Sequence, residues 1–247
     1  MAGVQLALLC GLSTVRSISL AMETRNSILV SKIMVTVDER ADSLIGMELR
    51  RRIVDRAGVR FLRHGYSAFA MSDLAADLGM SKKTLYVHFR GKDAIVRAVI
   101  DGFASRIRAE AEEILTRSGL TFVARLRSFA GHMMARLAQF RPAVIRDLQI
   151  KGPQLYRHLK QVRSRNIAHI FSEYVKEGRQ AGAVRTEISP DFAGEFFMHA
   201  MQGMMDGETL HRLRRSPAET FDEGIRIFFG GLLTPAGQKE YETLFPH

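Results

Sequence analysis

The segment Met71–Lys92, MSDLAADLGMSKKTLYVHFRGK, decides how the rest of this chain is interpreted. Its first half places Leu74, Ala75 and Leu78 at helical spacing, which predicts a short helix with one apolar face. Gly79 follows the last apolar residue and can adopt the left-handed conformation that commonly ends a helix. The sequence therefore predicts a helix that stops at Gly79.

A second helix is predicted to begin directly after this turn. Ser81 is a typical N-cap residue, because its hydroxyl can accept a hydrogen bond from the open amides of the first helical turn. Leu85 and Phe89 lie four residues apart and would be buried. The outer face and the N-terminal end would then carry cationic, hydroxyl and aromatic side chains: Lys82, Lys83, Thr84, Tyr86 and His88. This is the arrangement of a helix-turn-helix, whose second helix enters the major groove of DNA.

The alternative is a solvated helical hairpin whose lysines only keep it soluble, which is the usual meaning of an isolated Lys-Lys pair. Here the turn, the cap, the buried leucines and the donor-rich outer face occur together. Their coincidence favours DNA binding.

The composition indicates a globular, all-α protein. The chain has 247 residues, of which 46% are hydrophobic, so it can bury a substantial core in one or two domains. Prolines are few, and the residues that favour helices are abundant. No alternating stretch bounded by Asn-Gly or Asp-Gly turns indicates a β-hairpin.

The formal net charge of +10 favours an anionic partner. Residues 46–92 hold ten Lys or Arg against four Asp or Glu, so more than half of the excess surrounds the predicted helix-turn-helix. Such a surface would bind the DNA backbone by counterion release, and base contacts would supply discrimination.

The single cysteine, Cys10, excludes an internal disulfide and is typical of a reducing compartment, so a cytoplasmic protein is expected. No apolar run approaches the ~20 residues needed to span a bilayer, and no membrane partner is expected. Residues 1–45 are interpreted as a disordered extension or as the result of a start codon upstream of Met22, Met34 or Met47. A DNA-binding arm is the weaker alternative, because this segment is neutral overall.

A further helix is predicted from about Met47 to His64, because apolar residues recur there at every fourth position: Leu49, Ile53, Ala57 and Phe61. Gly65 would end this helix, and Tyr66 would pack against its apolar face. The arginines beside this stripe, Arg56 and Arg60 among them, would be solvated, although the first arginines of the helix could reach the DNA backbone.

With this helix in place, residues 47–103 resemble the DNA-binding domain of the TetR (tetracycline repressor) family of transcriptional regulators. The resemblance rests on three helices at the family's spacing and on these residues: Ala57, Phe61, Gly65, Tyr66, Leu74, Ala75, Gly79, Ser81, Thr84, Leu85, Tyr86, His88, Phe89, Lys92 and Asp93. It implies a homodimer that binds a palindromic operator on double-stranded DNA, usually represses, and releases DNA when a small molecule enters a second helical domain.

The resemblance also implies roles for individual residues. Those at the start of the recognition helix would contact bases or phosphates: Ser81, Lys82, Lys83 and Thr84. Tyr86 and His88 would contact phosphate, and Lys92 would meet the backbone from the N-terminus of the fourth helix. The plainer alternatives are a core aromatic with an exposed hydroxyl for Tyr86 and a surface histidine for His88. The family often has Ser or Thr just before the second helix, where this chain has Phe69, Ala70 and Met71, and Ser72 would take over part of that role.

The rest of the chain predicts further helices, in a second domain at residues 93–247 that follows the DNA-binding domain at 46–92. Their expected bounds are Asp93 to about Ser118, Leu120–Phe140, Ala143–Ile150, Gln154–Gln180, Pro190 to about Thr209, and Pro217–Leu233. The last two are unusually apolar and would form either a dimer interface or ordinary intrachain core.

An effector site would be a mainly apolar cavity with a few polar groups, and its candidates are Phe129, Met133, Met134, Tyr174, Met198 and His199. The histidines lack metal-ligand spacing, and the sequence contains no phosphate loop, nucleophile elbow or HExxH motif. We therefore expect neither a metal, a cofactor nor catalysis. The expected function is that of a ligand-responsive repressor; the alternative is a ligand-independent helical adaptor that contacts DNA and binds a protein through its C-terminal domain.

Overall fold

The computed structural model describes residues 45–138 and 141–244, and regular structure in this part of the chain is helical. Helix α1 covers residues 45–64. It is followed by α2 (Met71–Asp77), α3 (Lys82–His88), α4 (Lys92–Leu115), α5 (Phe122–Ala138), α6 (Pro142–Lys151), α7 (Pro153–Gln180), α8 (Pro190–Met204), α9 (Gly207–Leu213), α10 (Pro217–Leu232) and α11 (Pro235–Leu244). Between α7 and α8, Val184 forms a single antiparallel bridge with Leu233. The all-α prediction is confirmed.

The chain divides into two units, Met1–Arg52 and Ile53–His247, and the boundary falls within α1. Helical residues 45–52 are the described part of the first unit. The extension predicted at residues 1–45 lies outside the described residues, apart from position 45.

Proline and glycine set most helix ends. Helices α6, α7, α8 and α10 each begin with a proline, whose fixed φ suits the first helical position and whose missing N–H would have had no partner there. Gly65 and Gly119 follow α1 and α4 with φ of 81° and 76°, values that glycine adopts without the clash a Cβ would create. Gly65 lies where the sequence predicted the end of α1, whereas α4 ends at Leu115, before its expected end near Ser118.

Two features of the C-terminal third differ from the prediction. The helix expected from Pro190 to about Thr209 ends at Met204, because Asp206 accepts a hydrogen bond from the Glu208 N–H and starts α9. Helix α11 was not predicted at all, although Pro235 is a helix-starting signal.

Helix α4 is buried at both ends, in two different sets of neighbours. Near its start, Ile95, Val96 and Val99 are buried, and Val99 lies beside Gly58 of α1. Near its end, Ala111, Ile114 and Leu115 belong to a second apolar core built mainly from α5, α7, α8 and α10. Its 24 residues span about 36 Å, so α4 connects the helix-turn-helix to the second core as one continuous rod.

Helices α7 and α8 form the most extensive helix pair, and a glycine makes their close approach possible. A Cβ at Gly194 would lie 2.3 Å from the backbone oxygen of Ala168. Any larger residue at this position would push the two helices apart.

Candidate nucleic-acid interface

The turn between α2 and α3 has the geometry of a Schellman motif. Gly79 has φ of 65°, its N–H donates to the Ala76 carbonyl at 3.1 Å, and the Met80 N–H donates to the Ala75 carbonyl at 3.0 Å. These two bonds satisfy carbonyls that would otherwise be left open at the end of α2. The prediction that Gly79 ends the first helix is confirmed, and the turn fixes the direction in which α3 leaves.

Ser81 caps α3 as predicted. Its Oγ accepts a hydrogen bond from the Thr84 N–H at 3.1 Å and lies 3.0 Å from the Thr84 hydroxyl. The two hydroxyls therefore sit side by side at the helix N-terminus, where open amides and the helix dipole favour an anion. An approaching phosphate would meet both groups.

The two faces of α3 have opposite character. Leu85 and Phe89 are almost completely buried, whereas Lys82 and Lys83 are exposed. Tyr86 is 52% exposed, so the alternative that it is a core aromatic is wrong. Val87 is 76% exposed and was not singled out from the sequence, although an apolar side chain on this face could contact a thymine methyl group. His88 is half-buried at the last residue of α3.

Lys92 occupies the first position of α4 and lies over an aromatic ring. Its Nζ is 4.0 Å from the centroid of the Tyr66 ring, and the Tyr66 hydroxyl donates a 2.7 Å hydrogen bond to Asp93 Oδ1. That bond, together with partial burial, raises the pKa of Tyr66 to about 12. The turn after α1 thus holds the ammonium group at the N-terminus of α4, where the sequence predicted a contact with the DNA backbone.

Ser72 does not replace the missing cap of α2. The N-cap position is Ala70, which makes no side-chain hydrogen bond to the helix, and Ser72 follows two residues later. Its hydroxyl is exposed and donates to Asp73 Oδ1 at 3.2 Å. Ser72 is therefore exposed at the start of α2 but gives that helix no cap.

Two arginines of α1 hold α2 in place, a role that the sequence did not reveal. Arg60 pairs with Asp73 at 2.9 Å and with Asp77 at 2.8 Å, and Arg56 pairs with Asp77 at 3.1 Å. The hydrogen bond from Arg60 is the main cause of the lowered pKa of Asp77. Arg56 and Arg60 are therefore not simply solvated. The signal was the pair of aspartates on α2, four residues apart and so on the same face.

The turn after α1 is also bonded to α6, which lies about 80 residues further along the chain. Asp147 accepts two hydrogen bonds from Ser67, one from its N–H at 2.7 Å and one from its hydroxyl. Nearby, Arg141 donates to the Arg63 carbonyl at 3.1 Å. The bonds from Ser67 hold the pKa of Asp147 below its ordinary value. This connection between the turn after α1 and α6 was not foreseen.

Some of the residues predicted to line an effector site lie together in an aromatic cluster. The rings of Phe129 and Tyr174 lie 4.9 Å apart, and both residues are buried. The Tyr174 hydroxyl has no hydrogen-bond partner among the described residues, and burial raises its pKa. Met133 and Met134 pack against the same core, and Met198 is buried but does not belong to it. The side chain of His199 is 71% exposed, so the structure separates it from the others.

The apolar residues of α8 and α10 divide between the core and the surface. Most of those expected at either a dimer interface or an intrachain core are buried within the chain: Phe197, Met201, Phe221, Ile225, Phe228 and Phe229. Phe192 and Phe196 are instead 67% and 59% exposed, with ring centroids 6.4 Å apart, and Ile227 on α10 is 74% exposed.

Two candidate features of other protein classes are missing from the described part of the chain. Residues 45–138 and 141–244 contain no group of three or more His, Cys, Asp or Glu side chains able to hold a metal ion. No helix within these ranges is both long and apolar enough to cross a membrane.

Comparison with known proteins agrees with this geometry. Residues 53–99 match the model of the family described as bacterial regulatory proteins, tetR family. The repressor DhaR of Mycobacterium sp. (strain GP1) is 24% identical over 192 residues, which are 75% of this chain and 92% of that protein. The regulator UidR of Escherichia coli (strain K12) is 23% identical over 75% of this chain and 93% of its own length.

Solved structures share the fold across most of the chain. A TetR-family regulator from Mesorhizobium loti superposes with a TM-score of 0.58 at 21% identity, covering 76% of this chain and 98% of that one. SmeT, the repressor of the Stenotrophomonas maltophilia efflux pump SmeDEF, superposes in its triclosan complex with a TM-score of 0.57 at 17% identity, over 76% of this chain and 93% of SmeT.

Proposed function

Because this chain is a member of the TetR family of transcriptional regulators, we propose that it is a homodimeric repressor of a palindromic operator, released by a largely apolar small molecule. The observation that carries this proposal is the outer face of α3. Lysine, hydroxyl and phenol groups project from a helix whose opposite face is fully buried and whose N-terminus is capped by Ser81.

In this proposal α3 lies in the major groove. Lys82, Lys83 and Thr84 stand at its N-terminal end, which is the part of a recognition helix that reaches base edges. Tyr86 and His88 are directed to the flanking phosphates, and Lys92 with Ser72 adds contacts from the starts of α4 and α2. Phosphate contacts of this kind fix the register, and the residues at the start of α3 supply discrimination.

The proposed dimer forms through α8 and α10. Phe192 and Phe196 stack on the surface of α8, and Ile227 projects from α10. Exposed aromatic and aliphatic groups on two adjacent C-terminal helices suit a four-helix bundle across a two-fold axis. In the dimer, two copies of α3 would lie one helical turn of DNA, ~34 Å, or a small multiple of it apart.

The proposed effector site is the aromatic cluster around Phe129 and Tyr174. A buried hydroxyl without a partner is unfavourable, so a ligand that offers Tyr174 a hydrogen-bonding group among these rings would gain affinity from it. Triclosan binds SmeT, which shares this fold. We propose an apolar effector with at least one polar group, and Met133, which packs against the same core, as an adaptable wall.

In this proposal the hydrogen bonds between Asp147 and Ser67 couple effector binding to DNA binding. A ligand that shifts α6 moves the carboxylate that holds the turn after α1, and the same turn supports Lys92 through Tyr66. Operator and effector binding would then oppose each other reciprocally. The same proposal divides the chain into a DNA-binding domain at residues 46–92 and an effector-binding and dimerisation domain at residues 93–247. It also includes a cytoplasmic location and the absence of catalytic activity.

The test is selection of bound fragments from random DNA by the purified full chain, followed by footprinting. We expect one palindromic sequence with two protected half-sites and one dimer per site. A smeared footprint without symmetry would favour the ligand-independent adaptor. A thermal-shift screen of small molecules then identifies effectors, which must also release the selected fragment.

A further inference from the structure

A polar groove on the outside of the second core is separate from both the α3 surface and the aromatic cluster. It lies between α7 and α8 and has a volume of about 600 Å³. Its lining consists of residues that can all donate hydrogen bonds, with no carboxylate among them: Arg157, Lys160, Gln161, Ser164, Arg165 and Gln202.

Five of these six residues come from one face of α7. Their positions follow helical spacing, at i, i+3, i+4, i+7 and i+8 from Arg157. Gln202, near the end of α8, forms the opposite wall, because α8 runs back along α7 from the contact at Gly194. The groove is therefore a consequence of how the two helices pack, and it does not depend on a loop.

The chain segment that supplies the α7 wall of the groove carries charge of one sign. Residues 148–172 contain five Lys or Arg and no Asp or Glu. Described ion pairs in this part of α7 use His158 with Asp101 and His169 with Glu112. No ion pair found within residues 45–138 and 141–244 involves Arg157, Lys160 or Arg165. The Lys160 ammonium group lies 5.2 Å from the centroid of the Tyr156 ring.

We propose that this groove binds a small polyvalent anion that carries phosphate or carboxylate groups, as a second ligand site besides the apolar effector site. Arginine presents a planar fork of N–H donors that matches a carboxylate or a phosphate in two parallel hydrogen bonds. Two such forks with an ammonium group between them, plus two amides and a hydroxyl, can surround several anionic oxygens. The volume is that of a small-molecule site, whereas duplex DNA is too wide to enter a groove between two packed helices.

The experiment uses the full-length protein and tripolyphosphate, with citrate as the carboxylate probe, in isothermal titration at constant ionic strength. The test variant is Arg157→Gln/Arg165→Gln. The matched control is Arg127→Gln/Lys176→Gln, which removes the same charge from exposed positions on α5 and on α7 outside the groove. We expect saturable binding of one anion per chain, a loss of at least about tenfold in the test variant, and less than about twofold in the control.

Three results would overturn the proposal: no saturable binding of either probe, an equal loss in both variants, or a loss of operator affinity by the test variant as large as its loss of anion affinity. The last would assign the groove to the DNA-binding surface. Operator affinity at fixed salt is measured for the same proteins, so a failed anion site and a failed repressor function give different results.

Discussion

The Tyr66 hydroxyl donates a 2.7 Å hydrogen bond to Asp93 Oδ1, and this bond joins the turn after α1 to the first turn of α4. The same ring lies under the Lys92 ammonium group. One side chain therefore orients both the start of α4 and the ammonium group of Lys92. The two effects can be separated by substitution.

Replacement of Tyr66 by Phe should remove the hydrogen bond and keep the ring under Lys92. The pKa of Tyr66 is raised to about 12, so the bond stabilises the fold below pH 10 and its contribution is lost as the pH rises through about 12. We expect Tyr66→Phe to lower the free energy of unfolding by about 1 kcal/mol at pH 8, after allowance for solvent screening. Urea denaturation at pH 8 and pH 11 measures this, and a difference that persists unchanged at pH 11 would contradict it.

Substitutions on α3 should weaken operator binding without unfolding the domain. Lys83→Ala removes an exposed ammonium, and we expect about a tenfold loss of affinity and a shallower salt dependence, by about one unit in log–log slope. Tyr86→Phe removes one hydroxyl and should reduce affinity by about three- to tenfold. Fluorescence anisotropy at several salt concentrations measures both, with Arg127→Ala on α5 as the control. Unchanged affinity in both variants would refute the assignment of the α3 contacts.

Gly65 should tolerate no side chain. Its φ is 81°, and a Cβ would lie 2.7 Å from Asp147 Oδ2, so Gly65→Ala combines backbone strain with loss of the bonds to Asp147. We expect a loss of about 2–4 kcal/mol in unfolding free energy. Gly79→Ala, with φ of 65° but open space around it, should lose about 1–2 kcal/mol.

Gly131 in the interior of α5 is the matched control for these two glycines. Nothing lies within 4 Å of its missing Cβ, and Gly131→Ala should stabilise by about 0.4–1 kcal/mol. Chemical denaturation ranks the three variants. Equal effects at Gly65 and Gly79 would mean that Asp147 adds nothing.

Asp147→Asn should remove stability in a pH-dependent manner. Hydrogen bonds from Ser67 lower the pKa of Asp147, so their contribution is complete above the ordinary aspartate pKa of ~3.9 and is lost as the pH falls through the lower value in the folded state. The difference between the wild type and the variant should be largest at neutral pH and shrink below pH 4. Ser67→Ala in a double-mutant cycle should give the same trend, and a difference independent of pH would exclude this cause.

Tyr174→Phe should leave the protein at least as stable as the wild type. The hydroxyl is buried without a partner among the described residues, so its removal relieves a desolvation penalty of about 1 kcal/mol or more. The thermal midpoint should stay constant or rise, while effectors identified by screening bind more weakly. A large loss of stability would indicate that the hydroxyl has a structural role.

The sequence predicted the helix-turn-helix because its determinants are local. Gly79 and Ser81 act within a few residues of themselves, and the apolar spacing around them is short. Arg60 and Asp73 are 13 positions apart in the sequence, and Ser67 and Asp147 are 80 positions apart. No periodicity specifies which distant partner a charged side chain will contact.

The sequence also did not predict which apolar residues of α8 are buried. Phe196 and Phe197 are adjacent and chemically identical, yet one is 59% exposed and the other 1%. The difference depends on which face of α8 meets α7 and α10. Helical spacing identifies the buried face of a helix when only one face is apolar. In a segment as uniformly apolar as α8, the spacing does not show which face packs against other helices.

The short distance between position 65 and the Asp147 carboxylate makes two remote sites in the gene mutually dependent. A side chain at 65 would displace the carboxylate, and without that carboxylate a larger residue at 65 would face only the strain of the turn. In a diverging lineage, replacement of Asp147 is therefore expected to precede replacement of Gly65. Chains that have kept the aspartate should have kept the glycine with it.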